Sequence, residues 1–217
     1  MLNAAAAGAL NLPTSRVTIV NDMVLAWHAV WPRGGGHLVS AGTGSVGFSL
    51  HRGAMILVGG RGALIDDAGS AAWIALRALD ALWRRIDETG APRGAEMLAD
   101  ALFGALGGGD WDATRRFVYG RDRGAIGSLA RPVAEAAHRG DPLARDLMAR
   151  AGTELARLAR ALVARAGDAP VAVIGGVLTL HPAIRTAIEA ATPGLALVWP
   201  APDAAARAAT LAQELHP

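Results

Sequence analysis

Three short runs rich in apolar residues, separated by turn residues, occupy positions 37 to 58. A short run, His37–Ser40, ends at the glycine-rich Gly42–Gly44. Beyond it, apolar residues occupy every second position of 45–50, which is the period of a half-buried strand. After a turn at His51–Gly53, the apolar run Ala54–Val58 follows. The pattern predicts three strands joined by short turns, an antiparallel meander.

A further strand is predicted upstream of the meander. Arg16–Val20 is rich in β-branched residues and ends at the polar pair Asn21 and Asp22. The next residues, 23–30, are apolar and compatible with a helix. The predicted order is therefore strand, polar pair, helix.

Helical periodicity dominates the middle of the chain. A long helix is indicated by apolar residues on one face, at Trp73, Leu76, Leu79, Trp83 and Ile86. Residues 95–137 continue the helical pattern, with an interruption at Gly107–Gly109. A second long amphipathic helix follows Pro142, with leucines at 143, 147, 155, 158 and 162 directed inward.

The last quarter of the chain alternates strands and helices. Pro170–Ile174 is predicted as a buried strand, followed by a turn at Gly175–Gly176 and a helix over His181–Ala191. Leu195–Trp199 is predicted as another strand, and 203–215 as a closing helix. A meander, then helices, then β-α-β-α units predicts a mixed α/β domain.

Composition and charge exclude several classes of protein. The chain has 217 residues, 52% of them apolar, yet no apolar run reaches the length of about 18 residues that a spanning helix needs. All 21 basic residues are arginines, balanced by 19 acids, so no basic footprint for nucleic acid is present. Cysteine is absent, and the histidines are scattered, so no protein ligand set for a metal is predicted. We expect a soluble cytoplasmic protein that binds neither nucleic acid nor membrane.

The glycine turn admits more than one interpretation. Gly42–Gly47 matches the G-x-G-x-x-G pattern, and Asp66 lies where a dinucleotide fold places its ribose acid. That fingerprint requires its third glycine to open a helix, however, and residues 45–50 have the period of a strand. A tight turn can still hold phosphate, because glycines let backbone N–H groups approach an anion and Thr43 and Ser45 add hydroxyls. The alternative is an ordinary hairpin turn.

The order of several short motifs resembles one protein family. Val20–Asp22, Ser40–Ser45, Gly59–Gly62 and Asp67–Ala71 are similar to the successive motifs of the BadF/BadG/BcrA/BcrD ATPases, and most similar to the N-acetylglucosamine and glucosamine kinases among them. Val173–Val177 continues the resemblance more loosely. It implies a ribonuclease H-like, actin-type ATPase domain that uses ATP and Mg²⁺ to phosphorylate an amino sugar on its 6-hydroxyl.

The resemblance also implies roles for individual residues near the meander. Asp22 matches the general base that takes the proton of the attacking sugar hydroxyl, and its alternative role is to cap the following helix. Gly42, Thr43 and Gly44 match the loop that grips the β- and γ-phosphates, with Ser45 nearby.

Further matches concern the sugar and the adenosine. Asp67 matches an acid that binds sugar hydroxyls, with helix capping as the alternative, and we add Asn21 and Gly60 as substrate-binding residues. Gly175 and Gly176 match the adenosine motif, where a side chain would block the nucleotide. The alternative for this pair is a plain strand-to-helix turn.

The chain departs from the family pattern in three places. Arg61 stands where a tryptophan is common, and Ala68 where an acidic or amide residue is common. Nothing in residues 1–13 resembles the Asp-Gly-Gly-Gly-Thr loop that the family carries on its first strand. The resemblance therefore implies that 1–35 is a remnant of an amino-terminal domain and 36–217 the carboxy-terminal domain, with the last helix packing back on the first. Since phosphoryl transfer depends on positioning, we expect little or no turnover from this polypeptide alone.

Two alternatives to a sugar kinase follow from the same residues. The dehydratase-activating branch of the family carries a cysteine-bound iron–sulfur cluster, which a chain without cysteine cannot hold. A catalytically inactive remnant, or a module that senses nucleotide or sugar, would retain the fold without the chemistry. An exposed apolar remnant would also favour association, so we expect a homodimer.

Overall fold

A single mixed sheet organises the protein in the computed structural model, which describes residues 2–51 and 53–215. Its strands are β1 (His37–Ala41), β2 (Ser45–His51), β3 (Ala54–Gly59), β4 (Val171–Ile174) and β5 (Leu197–Val198). Their order in the sheet is β3-β2-β1-β4-β5. β1 to β3 form the predicted antiparallel meander, and β4 and β5 continue the sheet in parallel to β1.

Helices occupy most of the remaining chain. They are α1 (Leu2–Leu10), α2 (Asp22–Val30), α3 (Ala71–Thr89), α4 (Glu96–Leu106), α5 (Trp111–Gly120), α6 (Arg123–Ser128), α7 (Ala130–His138), α8 (Pro142–Ala166), α9 (Pro182–Ala191) and α10 (Ala204–Leu215). Short 3-10 turns lie at Thr14–Arg16 and Gly176–Thr179. No helix in the described ranges is long and apolar enough to cross a membrane.

Apolar side chains cover both faces of the sheet at its centre, around β1 and β4, since successive side chains of a strand point to opposite faces. Val39 and Ala41 of β1 pack into the larger core, which α3, α7, α8 and α9 build on one face. Leu38, which precedes Val39, packs with Phe48 and Trp27 of α2 on the other face. Burial on both faces explains why β4 is an apolar run without alternation.

Two sequence predictions need correction in this fold. Residues 17–20 form no strand: they follow the 3-10 turn at Thr14–Arg16 and have no ladder partner among the described residues. Ile19 and Val20 consequently remain exposed, since β-branched residues form a strand only where a neighbouring strand supplies hydrogen bonds. The predicted strand Leu195–Trp199 shortens to two residues because the Leu195 N–H donates to Thr192 in a turn instead.

The amino-terminal segment and the last helix lie together. α10 packs on α2, and a groove of about 220 Å³ between them is lined by apolar residues that include Leu10, Val20 and Leu211. The division of the chain into an amino-terminal remnant, 1–35, and a carboxy-terminal domain, 36–217, stays a prediction. Arg52 in the predicted turn and His216 lie outside the described residues.

Candidate active site

The turn between β1 and β2 is held from behind by α3. Within the turn, the Gly42 N–H donates to the Gly44 carbonyl at 2.9 Å. The carbonyls of Gly42 and Thr43 accept from the first two amides of α3, those of Ala71 and Ala72, at 2.9 and 3.3 Å. The positive end of the α3 dipole therefore lies directly behind the turn, a placement that favours an anion in front of it.

One side of the β1–β2 turn opens into an acidic cavity of about 530 Å³. Its lining includes Asn21, Asp22, Gly42, Thr43, Gly44, Ser45, Gly60, Asp67 and Arg123. The fold thus brings together eight of the site residues named from the sequence, although they come from four separate stretches of chain. Arg123, from α6, joins them.

Asn21 and Asp22 enter the acidic cavity at the start of α2. Asn21 is the N-cap, and its side-chain oxygen accepts from the Met23 amide at 2.9 Å. Asp22 is the first helical residue, and one of its carboxylate oxygens accepts from the same amide at 2.8 Å. The helix-capping position considered for Asp22 is therefore filled by Asn21, and the exposed Asp22 carboxylate lines the cavity.

Asp67 lies at the floor of the acidic cavity. Its side chain is 2% exposed and forms an ion pair with Arg123, with 3.1 Å between Oδ2 and Nη1. Capping of α3, the alternative role for Asp67, is wrong, because the hydroxyl of Ser70 accepts from the Trp73 amide. Asp67 instead has a φ of +48°, a strained conformation for a residue other than glycine.

Neighbouring groups fix the loop that carries Asp67. Burial opposes ionisation of Asp66, but hydrogen bonds from the Asp67 and Arg61 amides and from the Arg61 guanidinium outweigh it, so the pKa of Asp66 lies below its ordinary value. Ser45, 3% exposed, donates its hydroxyl to the Ala68 carbonyl at 2.8 Å. The Ser45 hydroxyl therefore ties the turn to this loop, and its predicted phosphate contact stays a prediction.

Gly44 and Gly60 stand where side chains would not fit. A Cβ on Gly44 would lie 2.8 Å from the Asp67 carboxylate and 3.1 Å from the Arg123 guanidinium. A Cβ on Gly60 would lie 2.8 Å from Val46, and its φ of +72° is also left-handed. Both glycines therefore let the turn and the acidic loop approach each other closely.

The other side of the β1–β2 turn opens into a glycine cleft of about 400 Å³. Its lining includes Gly42, Thr43, Ala71, Gly124, Gly127, Ser128, Arg131, Gly176 and Leu180. Gly42 and Thr43 belong to both cavities. The turn is consequently the boundary that an elongated ligand occupying both sides would cross.

The adjacent residues Gly175 and Gly176 have different structural roles. Gly175 has a φ of +113°, and a Cβ there would lie 2.2 Å from the Ala41 carbonyl oxygen, so the close approach of β4 to β1 requires glycine. A Cβ on Gly176 would meet nothing within 4 Å, and this residue lines the glycine cleft. The strand-to-helix alternative thus describes Gly175, whereas Gly176 keeps the cleft open.

Sequence reasoning missed the contribution of α6. Arg123 lines the acidic cavity, its neighbour Gly124 lines the glycine cleft, and a Cβ on Gly127 would lie 3.5 Å from the Thr43 methyl group. The contact between Arg123 and Asp67 spans 56 positions, and the segment around it has no recognisable motif. Only its packing against α3 brings it to the site.

Another groove lies on the outer surface between α3 and α5. It has a volume of about 600 Å³ and is lined by Trp83, Trp111 and Tyr119, with none of the residues predicted for the site. In the described ranges, no group of three or more His, Asp or Glu side chains is placed to hold a metal ion. The residues predicted for the site, other than Gly175, therefore line the cavities at the β1–β2 turn and not this groove.

Comparison with solved structures identifies the fold. A provisionally assigned N-acetylglucosamine kinase from Chromobacterium violaceum shares 29% identity with a TM-score of 0.72, over 90% of this chain and 66% of its own. A provisionally assigned N-acetylglucosamine kinase from Porphyromonas gingivalis shares 18% identity with a TM-score of 0.65, over 87% of this chain and 62% of its own. A ROK-family glucokinase from Streptomyces griseus, solved with glucose and AMPPNP, shares 19% identity with a TM-score of 0.53, over 91% of this chain and 66% of its own.

These comparisons confirm the predicted mixed α/β fold of the actin-like ATPase type, with the sheet found in sugar kinases. The chain spans slightly less than two thirds of the length of these structures. No curated protein gives a significant match. The sequence profile of the BadF/BadG/BcrA/BcrD ATPase family matches residues 15–208, and the chain belongs to that family.

Proposed function

We propose that this protein transfers the γ-phosphate of ATP to the 6-hydroxyl of an amino sugar, glucosamine or N-acetylglucosamine. The observation that carries the proposal is the pair of cavities meeting at Gly42 and Thr43, one lined by carboxylates and the other by glycines. A sugar and a nucleotide that occupied the two cavities would meet at this turn. Family membership and the similar structures described as kinases support the same reaction class.

In the acidic cavity, Asp22 would act as the general base. The sugar 6-oxygen attacks the γ-phosphorus, its proton passes to the Asp22 carboxylate, and the bond from the γ-phosphorus to the bridging oxygen breaks to release ADP. Asp22 suits this role because its carboxylate is exposed in the cavity and held by the Met23 amide. Asn21 and Gly60 line the same cavity and would contact the sugar.

Asp67 would bind sugar hydroxyls from the floor of the acidic cavity. A carboxylate accepts hydrogen bonds from two vicinal hydroxyls, which makes it a common partner of carbohydrates. Its fixed loop and its ion pair with Arg123 keep the carboxylate in one orientation. We also propose that the acceptor is an amino sugar rather than glucose.

In the glycine cleft, ATP would lie with its phosphates at the β1–β2 turn. Gly42, Thr43 and Gly44 would contact the β- and γ-phosphates, because glycine lets an anion approach the backbone. A Cβ on Gly42 would meet nothing within 4 Å, so the space in front of the turn is open. Gly176 would leave room for the adenosine.

Mg²⁺ would enter with the phosphates. This ion usually binds through substrate phosphates, several waters and one or two carboxylates, and it neutralises charge on the transferring group. The acidic cavity offers two carboxylates, those of Asp22 and Asp67, and Mg²⁺ bound through phosphates needs no more than two. Asp22 would be the carboxylate within reach, since Asp67 pairs with Arg123.

Calorimetry and a stoichiometric transfer assay test the proposal. The chain is titrated with Mg-ATP, with glucosamine and with N-acetylglucosamine, and is then incubated in excess over ATP while sugar 6-phosphate is measured. Binding of ATP and one amino sugar, with formation of that product, supports the kinase. Binding of both ligands without product indicates a catalytically inactive remnant or a sensing module, and binding of neither contradicts the proposed site.

We also propose that the protein forms a homodimer. Exposed apolar residues such as Leu2, Leu10 and Leu215 lie in the amino-terminal segment and α10. Light scattering at several protein concentrations would measure the mass, and a monomer throughout would contradict a dimer.

A further inference from the structure

Arg123 stands at the junction of the two cavities. It lines the acidic cavity, the next residue, Gly124, lines the glycine cleft, and Gly42 and Thr43 are common to both. A phosphoryl group that passes from a nucleotide on one side to an acceptor on the other must cross this junction. The position of Arg123 therefore calls for an explanation beyond its ion pair with Asp67.

Charge gives a reason for a cation at this place. Arg123 is the one cationic residue among those lining the acidic cavity in the described chain, and Asp22 and Asp67 line it too. A terminal phosphate brought beside two carboxylates is repelled unless a positive group lies close to it. With no lysine in the sequence and no histidine lining either cavity in the described chain, an arginine must supply any such charge from a side chain.

The guanidinium is held in place and still available for a ligand. Its Nη1 donates to the buried Asp67 carboxylate at 3.1 Å, while 54% of the Arg123 side chain remains exposed. A guanidinium carries five N–H donors in a rigid plane, so one bond to Asp67 leaves donors for a second anion. The close approach of Gly44 places the same guanidinium next to the β1–β2 turn.

We propose that Arg123 binds the terminal phosphate of the nucleoside triphosphate and neutralises it during transfer. This inference rests on the proposed function, because it assigns the γ-phosphate to the same junction. Asp67 then has two tasks: it binds sugar hydroxyls and holds the guanidinium toward the turn. A purely structural Arg123 would hold Asp67 and make no distinction between ATP and ADP.

The test compares the affinity of the chain for ATP, ADP and inorganic tripolyphosphate, with Mg²⁺ present, by calorimetry. Arg123→Gln should weaken ATP and tripolyphosphate about tenfold or more, because a charge-assisted hydrogen bond is lost, and change ADP less than about twofold. Arg123→Lys should retain part of the preference for ATP. Arg121→Gln is the matched control, because it removes the same charge from an arginine that lies over the Phe117 ring. All three affinities should stay unchanged in this variant.

Folding is checked by thermal unfolding, because Arg123→Gln leaves a buried carboxylate without its partner. If that variant does not fold, Arg123→Gln combined with Asp67→Asn removes both charges and is tested in the same way, with the Asp67→Asn variant as its reference. An equal loss of ATP and ADP affinity, or a loss of sugar affinity alone, overturns the role in phosphate binding.

The wild-type chain separates this inference from the proposed function. Tripolyphosphate binding that depends on Arg123, without ATP binding, would support the anion site and contradict the nucleotide. Binding of ATP with an affinity ratio to ADP that Arg123→Gln leaves unchanged would retain the proposed function and refute this inference. Failure to bind either anion would contradict both.

Discussion

The two cavities that meet at the β1–β2 turn are built from different kinds of residue. The acidic cavity presents charged side chains, Asp22, Asp67 and Arg123, which are fixed by hydrogen bonds and an ion pair. The glycine cleft is defined by missing side chains, as at Gly124 and Gly176. One side therefore depends on chemical groups at fixed positions and the other on empty space, so different substitutions should damage them.

Backbone strain follows the same division. Asp67 holds a left-handed backbone conformation that costs a residue other than glycine about 1–3 kcal/mol. Its contacts with Arg123 and with Asp66 offset that cost. In the glycine cleft, Gly176 does not have a positive φ. An isosteric change should therefore be harmful in the acidic cavity, and only added bulk should be harmful in the glycine cleft.

The largest expected effect is that of Asp22→Asn, which alters one atom of the acidic cavity. We expect phosphoryl transfer to the sugar to fall about 10²–10⁴-fold, because the amide cannot accept the proton of the attacking hydroxyl. The affinity for ATP measured without Mg²⁺ should not change, because Asp22 is given no contact with the nucleotide itself. The rate is measured by sugar 6-phosphate formed with the chain in excess over ATP.

Asp112→Asn serves as the control for Asp22→Asn, since Asp112 is exposed in the first turn of α5 and its rate should equal that of the wild type. Equal transfer rates in Asp22→Asn and the wild type would exclude Asp22 as the base. The acidic cavity would then be a binding site only.

The adjacent glycines provide a matched pair on the other side of the turn. Gly175→Ala should lower the free energy of unfolding by about 3 kcal/mol or more, because its Cβ collides with the Ala41 carbonyl and its φ is strained. Gly176→Ala should change it by less than about 0.5 kcal/mol. Gly176→Leu should fold and weaken ATP binding about tenfold by filling the glycine cleft.

Urea unfolding and calorimetric titration with Mg-ATP check this pair. Similar stability losses for Gly175→Ala and Gly176→Ala would contradict the different roles given to the two positions. Unchanged ATP affinity in Gly176→Leu, with sugar affinity also unchanged, would remove the nucleotide from the glycine cleft.

Local patterns predicted the meander and the β1–β2 turn because strand period and turn residues are properties of short segments. Residues 16–20 show where this reasoning fails: the β-branched run has no neighbouring strand in the described chain, and strand formation depends on one. Motif order predicted that Asp22 and Asp67 belong to one site, and they line one cavity. Arg123 could not be predicted, because its place depends on how α6 packs against α3.

The smallest expected effect concerns pH and the edge of the glycine cleft. His181 caps α9, with its Nδ1 accepting from the Ala183 amide at 3.1 Å. Burial, and then the charges of His138 and Arg145, lower the pKa of His181 below its ordinary value of 6.5. Its neutral form therefore stabilises the fold above pH 6.5, and this contribution is lost as the pH falls from there through the lower pKa of the folded state.

Protonation of His181 would also remove the Nδ1 lone pair that accepts the capping bond, so both effects act in the same direction. We expect a loss of roughly 0.5 kcal/mol or less, since solvent screens a partly exposed ring. His181→Asn retains a capping oxygen and cannot titrate, so the difference in unfolding free energy between it and the wild type should shrink or reverse between pH 7.5 and about pH 5.5. A difference that stays constant with pH would show that His181 does not titrate in this range.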